Sequence, residues 1–270
     1  MALIKSSIWI SDRSLTVRDC SVVRAGAVVS DLHLLTNRTT FARHSESIRK
    51  MASESDLFIF NGDVFDFQWS RHGDSEASVR EAISWIKSLV TQHSHCHFVF
   101  LLGNHDSIPD YVCALDKLSQ SRKNLSWGEH HAQLGDRIFL HGDLYHAGGN
   151  PLMVDAYRHR RNQKLDRSPV LHGLYWGVTK AGVFRVLVKM VSKRSCARRI
   201  IAYLDKTMGD QASAVREIYF GHLHKPFSNF SYDRFVFHNT GAALFGMKLN
   251  IMRFEYEEAP LMIDLPGRAI

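Results

Sequence analysis

The 270-residue chain is predicted to adopt an α/β fold around a largely parallel sheet, on three observations. Five short apolar runs, rich in β-branched and aromatic residues, stop at turn-forming residues: Ala27 to Ser30, Leu57 to Asn61, Phe98 to Leu102, Arg137 to Leu140 and Glu217 to Phe220. Runs of this length and composition are buried strands rather than helices. Between the first of them lie stretches with helical apolar spacing, and strand–helix alternation is the mark of βαβ units. Each run also ends in polar residues of one chemical kind, at the strand ends where open α/β sheets gather ligands. These ends read Asp31-Leu32-His33, Gly62-Asp63-Val64-Phe65-Asp66, Gly103-Asn104-His105-Asp106, His141-Gly142-Asp143 and Gly221-His222-Leu223-His224.

Taken in order, residues 7–11 and 15–19 read as an edge hairpin ahead of the first core strand. Thr39 to Ser55 is predicted helical, with Phe41, Ile48 and Met51 as a thin apolar stripe among Arg43, Arg49 and Lys50. Ser75 to His93 is a second helix through Val79, Ile83, Ile86 and Val90, with Trp85 alongside, and Asp110 to Gln120 a shorter third. Near the end, Arg234 to Gly241 and Leu249 to Tyr256 read as antiparallel strands closing a second sheet.

Spacing singles out one region. Asp31 to Asp63 is 32 positions, Asp63 to Asn104 is 41 and Asn104 to His141 is 37, but His141 to His222 is 81. The chain is therefore divided into a core of residues 1–144 and 216–270 and a helical cap insertion of residues 145–215 standing over the strand ends. The insertion opens Gly-rich, continues with the basic run Tyr157-Arg158-His159-Arg160-Arg161, and then becomes apolar from Leu171 to Trp176. Lys180 to Leu204 is amphipathic: Arg185, Lys189 and Lys193 fall on one helical face, candidates for substrate binding, with Val183, Leu187, Met190 and Val191 towards another. Such a stretch suits a cap packed on the core or a surface meeting anionic lipid. Nucleic acid fits less well, because aromatic and basic residues do not interleave for base stacking.

Asp, His and Asn are oxygen and imidazole ligands for Mn, Fe, Zn or Mg, without the thiolates of a structural zinc site. Asp31, His33, Asp63, Asn104, His141, His222 and His224 are too many for one tetrahedral ion and suit two ions sharing a carboxylate. Paired ions stabilise the attacking and leaving oxygens of an in-line displacement at phosphorus. His105, Asp66, Asp106 and Asp143 remain as supporting or acid–base groups. Any one block alone is more often a satisfied core or capping residue; five such blocks beside strands without a metal would leave many buried polar groups unpaired.

The five ordered blocks resemble the calcineurin-like metallophosphoesterases, whose pattern is D-x-H, G-D-x-x-D, G-N-H-D/E, an isolated His and G-H-x-H. The resemblance implies a four-layer α-β-β-α sandwich. It also implies two divalent ions, Mn2+ first, one held by Asp31, His33, Asp63 and His224 and the other by Asp63, Asn104, His141 and His222. His105, oriented by Asp106, would act at the leaving-group side, making both catalytic. Where phosphoprotein phosphatases follow the second block's last Asp with a phosphoryl-clamping Arg, this chain has Phe67-Gln68-Trp69. The string from Gly62 to Trp69 instead resembles the UDP-2,3-diacylglucosamine pyrophosphatase-like branch, which cleaves a nucleotide-linked lipid sugar to UMP and a lipid phosphate. That branch carries Arg at the position of His105 and often Asp-Trp where this chain has Ala242-Ala243. A phosphodiesterase on small or cyclic nucleotides, a metal-dependent nuclease and a non-catalytic scaffold are the competing readings.

Hydrophobic residues make up 45% and charged residues 23% of the chain, a globular balance. Its formal charge of +7 favours a phosphate-bearing or anionic partner, small molecule or lipid. Cys20, Cys96, Cys113 and Cys196 lack C-x-x-C spacing and read as reduced thiols. With no signal-peptide pattern at the N-terminus and no window long enough to span a membrane, the expected location is cytoplasmic, with peripheral contact at the inner membrane through the cap.

Overall fold

The computed structural model describes residues 24–162, 173, 177, 188, 190–257 and 259–264; the predicted hairpin at 7–11 and 15–19 lies outside them. The apolar runs form β1 (Arg24–Val29), β2 (Leu57–Asn61), β3 (His97–Leu101), β4 (Leu125–Gly128), β5 (His131–Leu134), β6 (Arg137–Leu140), β7 (Glu217–Phe220), β8 (Phe227–Tyr232), β9 (Phe235–Asn239), β10 (Met252–Tyr256) and β11 (Leu261–Ile263). The described helices are α1 (Ser45–Ser53), α2 (Ser75–Gln92), α3 (Pro109–Gln120), α4 (Pro151–Asn162) and α5 (Lys193–Met208). α2 starts where Asp74 caps it, its carboxylate accepting from the Glu76 and Ala77 N–H groups. α3 starts with Pro109, whose missing donor costs nothing there. The predicted helix at Thr39 divides into a 3-10 turn at Phe41–Arg43 and α1.

Two sheets result, in the orders β10-β1-β2-β3-β4 and β11-β5-β6-β7-β9-β8. Side-chain alternation assigns the layers. In β2, Phe58 and Phe60 face α1 to α3, while Leu57 and Ile59 face the second sheet; in β6 and β7, Phe139 and Tyr219 meet them. Ile138, Leu140, Ile218 and Phe220 turn the other way, onto Val154 of α4 and Cys196, Ile200, Tyr203 and Leu204 of α5. The molecule is thus a four-layer α-β-β-α sandwich. α4 and α5, both within residues 145–215, share an apolar cluster with β6, β7 and β9 and form the fourth layer.

The C-terminal strands differ from the antiparallel pair predicted. β9 runs parallel to β7 and antiparallel to β8, while β10 crosses to the first sheet and pairs antiparallel with β1. Ala243 N donates to Asp31 O (3.0 Å), drawing the connection back across the sheets. Gly26, opposite Phe254 in register, leaves the room that the Phe254 ring takes. Met252 and Phe254 then point into the inter-sheet layer with Arg253 and Glu255 outward, the alternation of an edge strand. Among the described residues Cys96, Cys113 and Cys196 are free thiols, and no helix is long and apolar enough to cross a membrane.

Candidate metal centre

The chain turns sharply past the strand ends. Asp31 (φ 53°), His33 (46°), Asp63 (51°), His222 (64°) and His224 (53°) all adopt the left-handed backbone that non-glycine residues enter at a cost of about 1–2 kcal/mol. Strain of this kind persists where surrounding contacts over-determine it, typically at functional sites. Here the loops hold one another: Asp31 N donates to Gly62 O (3.0 Å), His33 N to Asp63 O (3.1 Å) and Gly221 N to His141 O (2.8 Å). Gly103 and Gly221 allow the closest approaches, since a Cβ would strike the Asp63 carboxylate at the first and the Asp31 carboxylate at the second.

Two contiguous ligand groups lie on these loops. Asp31, His33 and His224 form one; Asp63, His141 and His222 form the other; His33, Asp63 and His105 join them, the ligand atoms of each group within 4.8 Å of one another. His224 Nε2 is 3.1 Å from Asp31 Oδ1 and 3.2 Å from His33 Nε2, and His141 Nε2 is 3.1 Å from Asp63 Oδ2. Buried Asn104 stands beside them, adjacent to His105, whose N–H donates to Asp63 Oδ1 (2.8 Å). The donor set fits a pair of divalent cations. Asn104 Oδ1 and His141 Nε2 are buried with no hydrogen-bond partner, so each offers a lone pair to the centre. The outer nitrogen of His141 is taken, its Nδ1 lying 3.1 Å from Asn61 O, which leaves Nε2 inward; His33 Nδ1 faces Asp66 Oδ2 at 3.4 Å, beyond a good hydrogen bond.

Electrostatics point the same way. Burial lowers the pKa of His33, and burial with the neighbouring His141 pushes His222 down to about 3, so both rings are neutral ligands. Burial alone would raise Asp63, but the charges of His141 and His105 hold it well below the carboxylate range. Against the same burial, Asp63 and Asp31 push His141 up to about 10, and a cation on Asp63 takes the place of that proton.

The partner of His105 is not the predicted one. His105 Nδ1 donates to Asp66 Oδ1 (2.8 Å), whereas Asp106 accepts from Gly103 N (2.6 Å) and Val64 N (2.8 Å) and braces the loop after β3. Burial and the nearby Asp63 raise Asp106 to about 7. Asp66 also accepts from Arg38 Nη2 (2.9 Å) and Trp69 N (3.1 Å). Arg38, 6% exposed, gave no signal in the sequence because it stands outside every motif.

α4 brings further residues. Arg158 is buried: its Nε and Nη2 donate to Asp143 (2.6 and 3.0 Å), and its nitrogens also reach Glu129 O and Leu102 O. Arg161 Nη2 lies 3.5 Å from His105 Nε2, and Asn162 bonds Ser107 and Gln68. The spacing Val154, Arg158, Arg161 marks a single helical face, and that was the available signal. Of the predicted cap cations, Arg185 and Lys189 lie outside the described residues. Lys193 opens α5 behind the cap residue Ser192, which has extended backbone, so the stretch from Lys180 to Leu204 is interrupted there rather than continuously helical. Its Nζ sits over the Phe227 ring, 4.3 Å from the centroid.

A sandwich whose strand ends carry these two ligand groups is that of a metal-dependent phosphohydrolase. Residues 27–226 match the sequence profile of the calcineurin-like phosphoesterases, and the chain belongs to that family. Curated proteins give no match to the chain. Among solved structures, the crystal structure of a dimetal phosphatase from Danio rerio is similar at 10% identity and a TM-score of 0.46, over 90% of this chain and 99% of that one.

Proposed function

We propose that this dimetal phosphoesterase cleaves the pyrophosphate of a nucleotide-linked lipid sugar such as UDP-2,3-diacylglucosamine, releasing UMP and a lipid phosphate, with Mn2+ as its ions. The observation that carries the proposal is α4, which joins cationic and apolar chemistry on one element. Its last turn brings Arg161 to the centre, while its first exposes Leu152 (80%) and Met153 (52%), with Met190 (76%) exposed just before α5. Exposed apolar side chains of this size suit acyl chains or the membrane surface that holds them.

Bound ions would supply an activated nucleophile and neutralise charge at phosphorus. The chain's own residues do the rest. Asp66 fixes the His105 ring through Nδ1, so Nε2 is the nitrogen left free for substrate. Burial opposes charge on that ring, but Asp66 and Asp63 outweigh it and keep its pKa above the usual value. His105 can therefore hold a proton at Nε2 for the departing oxygen.

The test is mass spectrometry of products from Mn-loaded protein with UDP-2,3-diacylglucosamine in detergent micelles, beside a generic aryl phosphodiester. UMP with the diacyl sugar phosphate is the expected result, abolished by Asp63→Asn. Turnover of the aryl ester alone would discard the lipid substrate and direct the search to soluble nucleotides.

A further inference from the structure

We infer that Arg161 of α4 is the residue that binds the phosphoryl oxygens of the substrate, in place of the arginine missing after Asp66. The sequence has Phe67 at that position, and Phe67 is buried in the core at 5% exposure. Nothing from the second block can therefore grip the phosphoryl group. Arg161 arrives from α4. Its Nη2 is 3.5 Å from His105 Nε2, the ring nitrogen that Asp66 leaves free, and its Nε is buried without a hydrogen-bond partner. Among the described residues no carboxylate pairs with it. Asp66, the carboxylate that holds His105, is already occupied by Arg38, Trp69 and His105.

A guanidinium beside an imidazole, short of a carboxylate and partly withdrawn from water, is placed for an anion. The anion that this centre handles is a phosphate ester. The planar fork of arginine matches two non-bridging oxygens at once. Position is assured by neighbours on the same helix. Asn162 Nδ2 donates to Ser107 O (3.1 Å) and Oγ (3.0 Å), and Gln68 Nε2 donates to Asn162 Oδ1 (3.1 Å) and Asn104 O (2.7 Å). One turn earlier, Arg158 is pinned to Asp143. Arg161 stands between these two anchors, so the helix end that presents it is fixed to the loop of Asn104 and His105. The inserted segment thereby contributes to phosphate recognition itself.

This inference rests on the phosphohydrolase reading, and the experiment separates the two. Inorganic phosphate is titrated into Mn-loaded wild-type, Arg161→Gln and Arg161→Lys proteins by calorimetry, with metal content measured in each, and aryl phosphodiester kinetics are run in parallel. The expected result is about 10- to 100-fold weaker phosphate binding in Arg161→Gln with a matching rise in KM, as for loss of hydrogen bonds to a charged group. Arg161→Lys should recover part of it, since the charge remains without the fork. Phosphate binding unchanged in Arg161→Gln would overturn the inference, as would loss of metal, which would make Arg161 a support of the centre. A wild-type protein inert towards every ester would sink the catalytic reading instead, and the phosphate titration would still decide Arg161.

Discussion

Asp66 accepts from Arg38, Trp69 and His105 and faces His33 Nδ1, so one carboxylate touches both a candidate metal-ligand imidazole and the imidazole proposed for acid–base work. Replacing it should therefore disturb both functions, whereas replacing His105 should disturb one. Asp66→Asn is expected to lower metal affinity and turnover, each by about 10- to 100-fold, the usual cost of removing an outer partner. His105→Ala is expected to slow turnover with metal content intact. Metal analysis beside steady-state kinetics distinguishes them, and full metal retention in Asp66→Asn would refute the shared role. At this scale the gathering of Asp31, His33, Asp63, His141, His222 and His224 was legible in the sequence, because each follows a strand end by one to four residues. The pairing of His105 was not. Asp106 adjoins it in sequence, yet a tight loop folds Asp106 back onto Gly103 and Val64, and the partner comes from 39 positions upstream across two parallel strands.

Elements with strong periodicity, α2 above all, matched the pattern of their apolar residues. β4, β5, β8 and β11 went unseen because runs of three to six residues such as Phe227–Tyr232, half Ser and Asn, carry no separable pattern. α4 misled in another way. Its basic run shows in the sequence only as charge in the insertion, but Arg158 is 5% exposed and ties the helix to Asp143. Burial would raise the Asp143 carboxyl, yet Arg158 holds it at about 2, below an unfolded value of about 3.9. The pair's contribution is thus present above about pH 4 and lost as pH falls towards 2, about 2–3 kcal/mol by linkage. Arg158→Met leaves a buried carboxylate unpaired, and about 3–5 kcal/mol of stability should go with it at pH 7. Denaturant titrations should show that penalty shrinking as pH falls from about 4 to 2; a penalty independent of pH would show the loss to be one of packing.

Across the whole molecule, the layers follow from strand alternation, but how the insertion packs could not be read, since residue spacing does not reveal which sheet face a helix covers. Each ligand group draws on both sheets. Asp31 and His33 follow β1 while His224 follows β7; Asp63 follows β2 while His141 and His222 follow β6 and β7. Ions bound there hold the sandwich across its seam. Stripping them with a chelator should lower the melting temperature, by a free energy set by ion concentration over Kd. Hydrogen exchange should quicken first at the β1 and β7 strand ends, and uniform quickening would contradict this. The same geometry sets a condition on activity during synthesis. A chain made only as far as β4 holds Asp31, His33 and Asp63 but lacks His141, His222 and His224, so a half-finished molecule is silent as a hydrolase until β6 and β7 have docked.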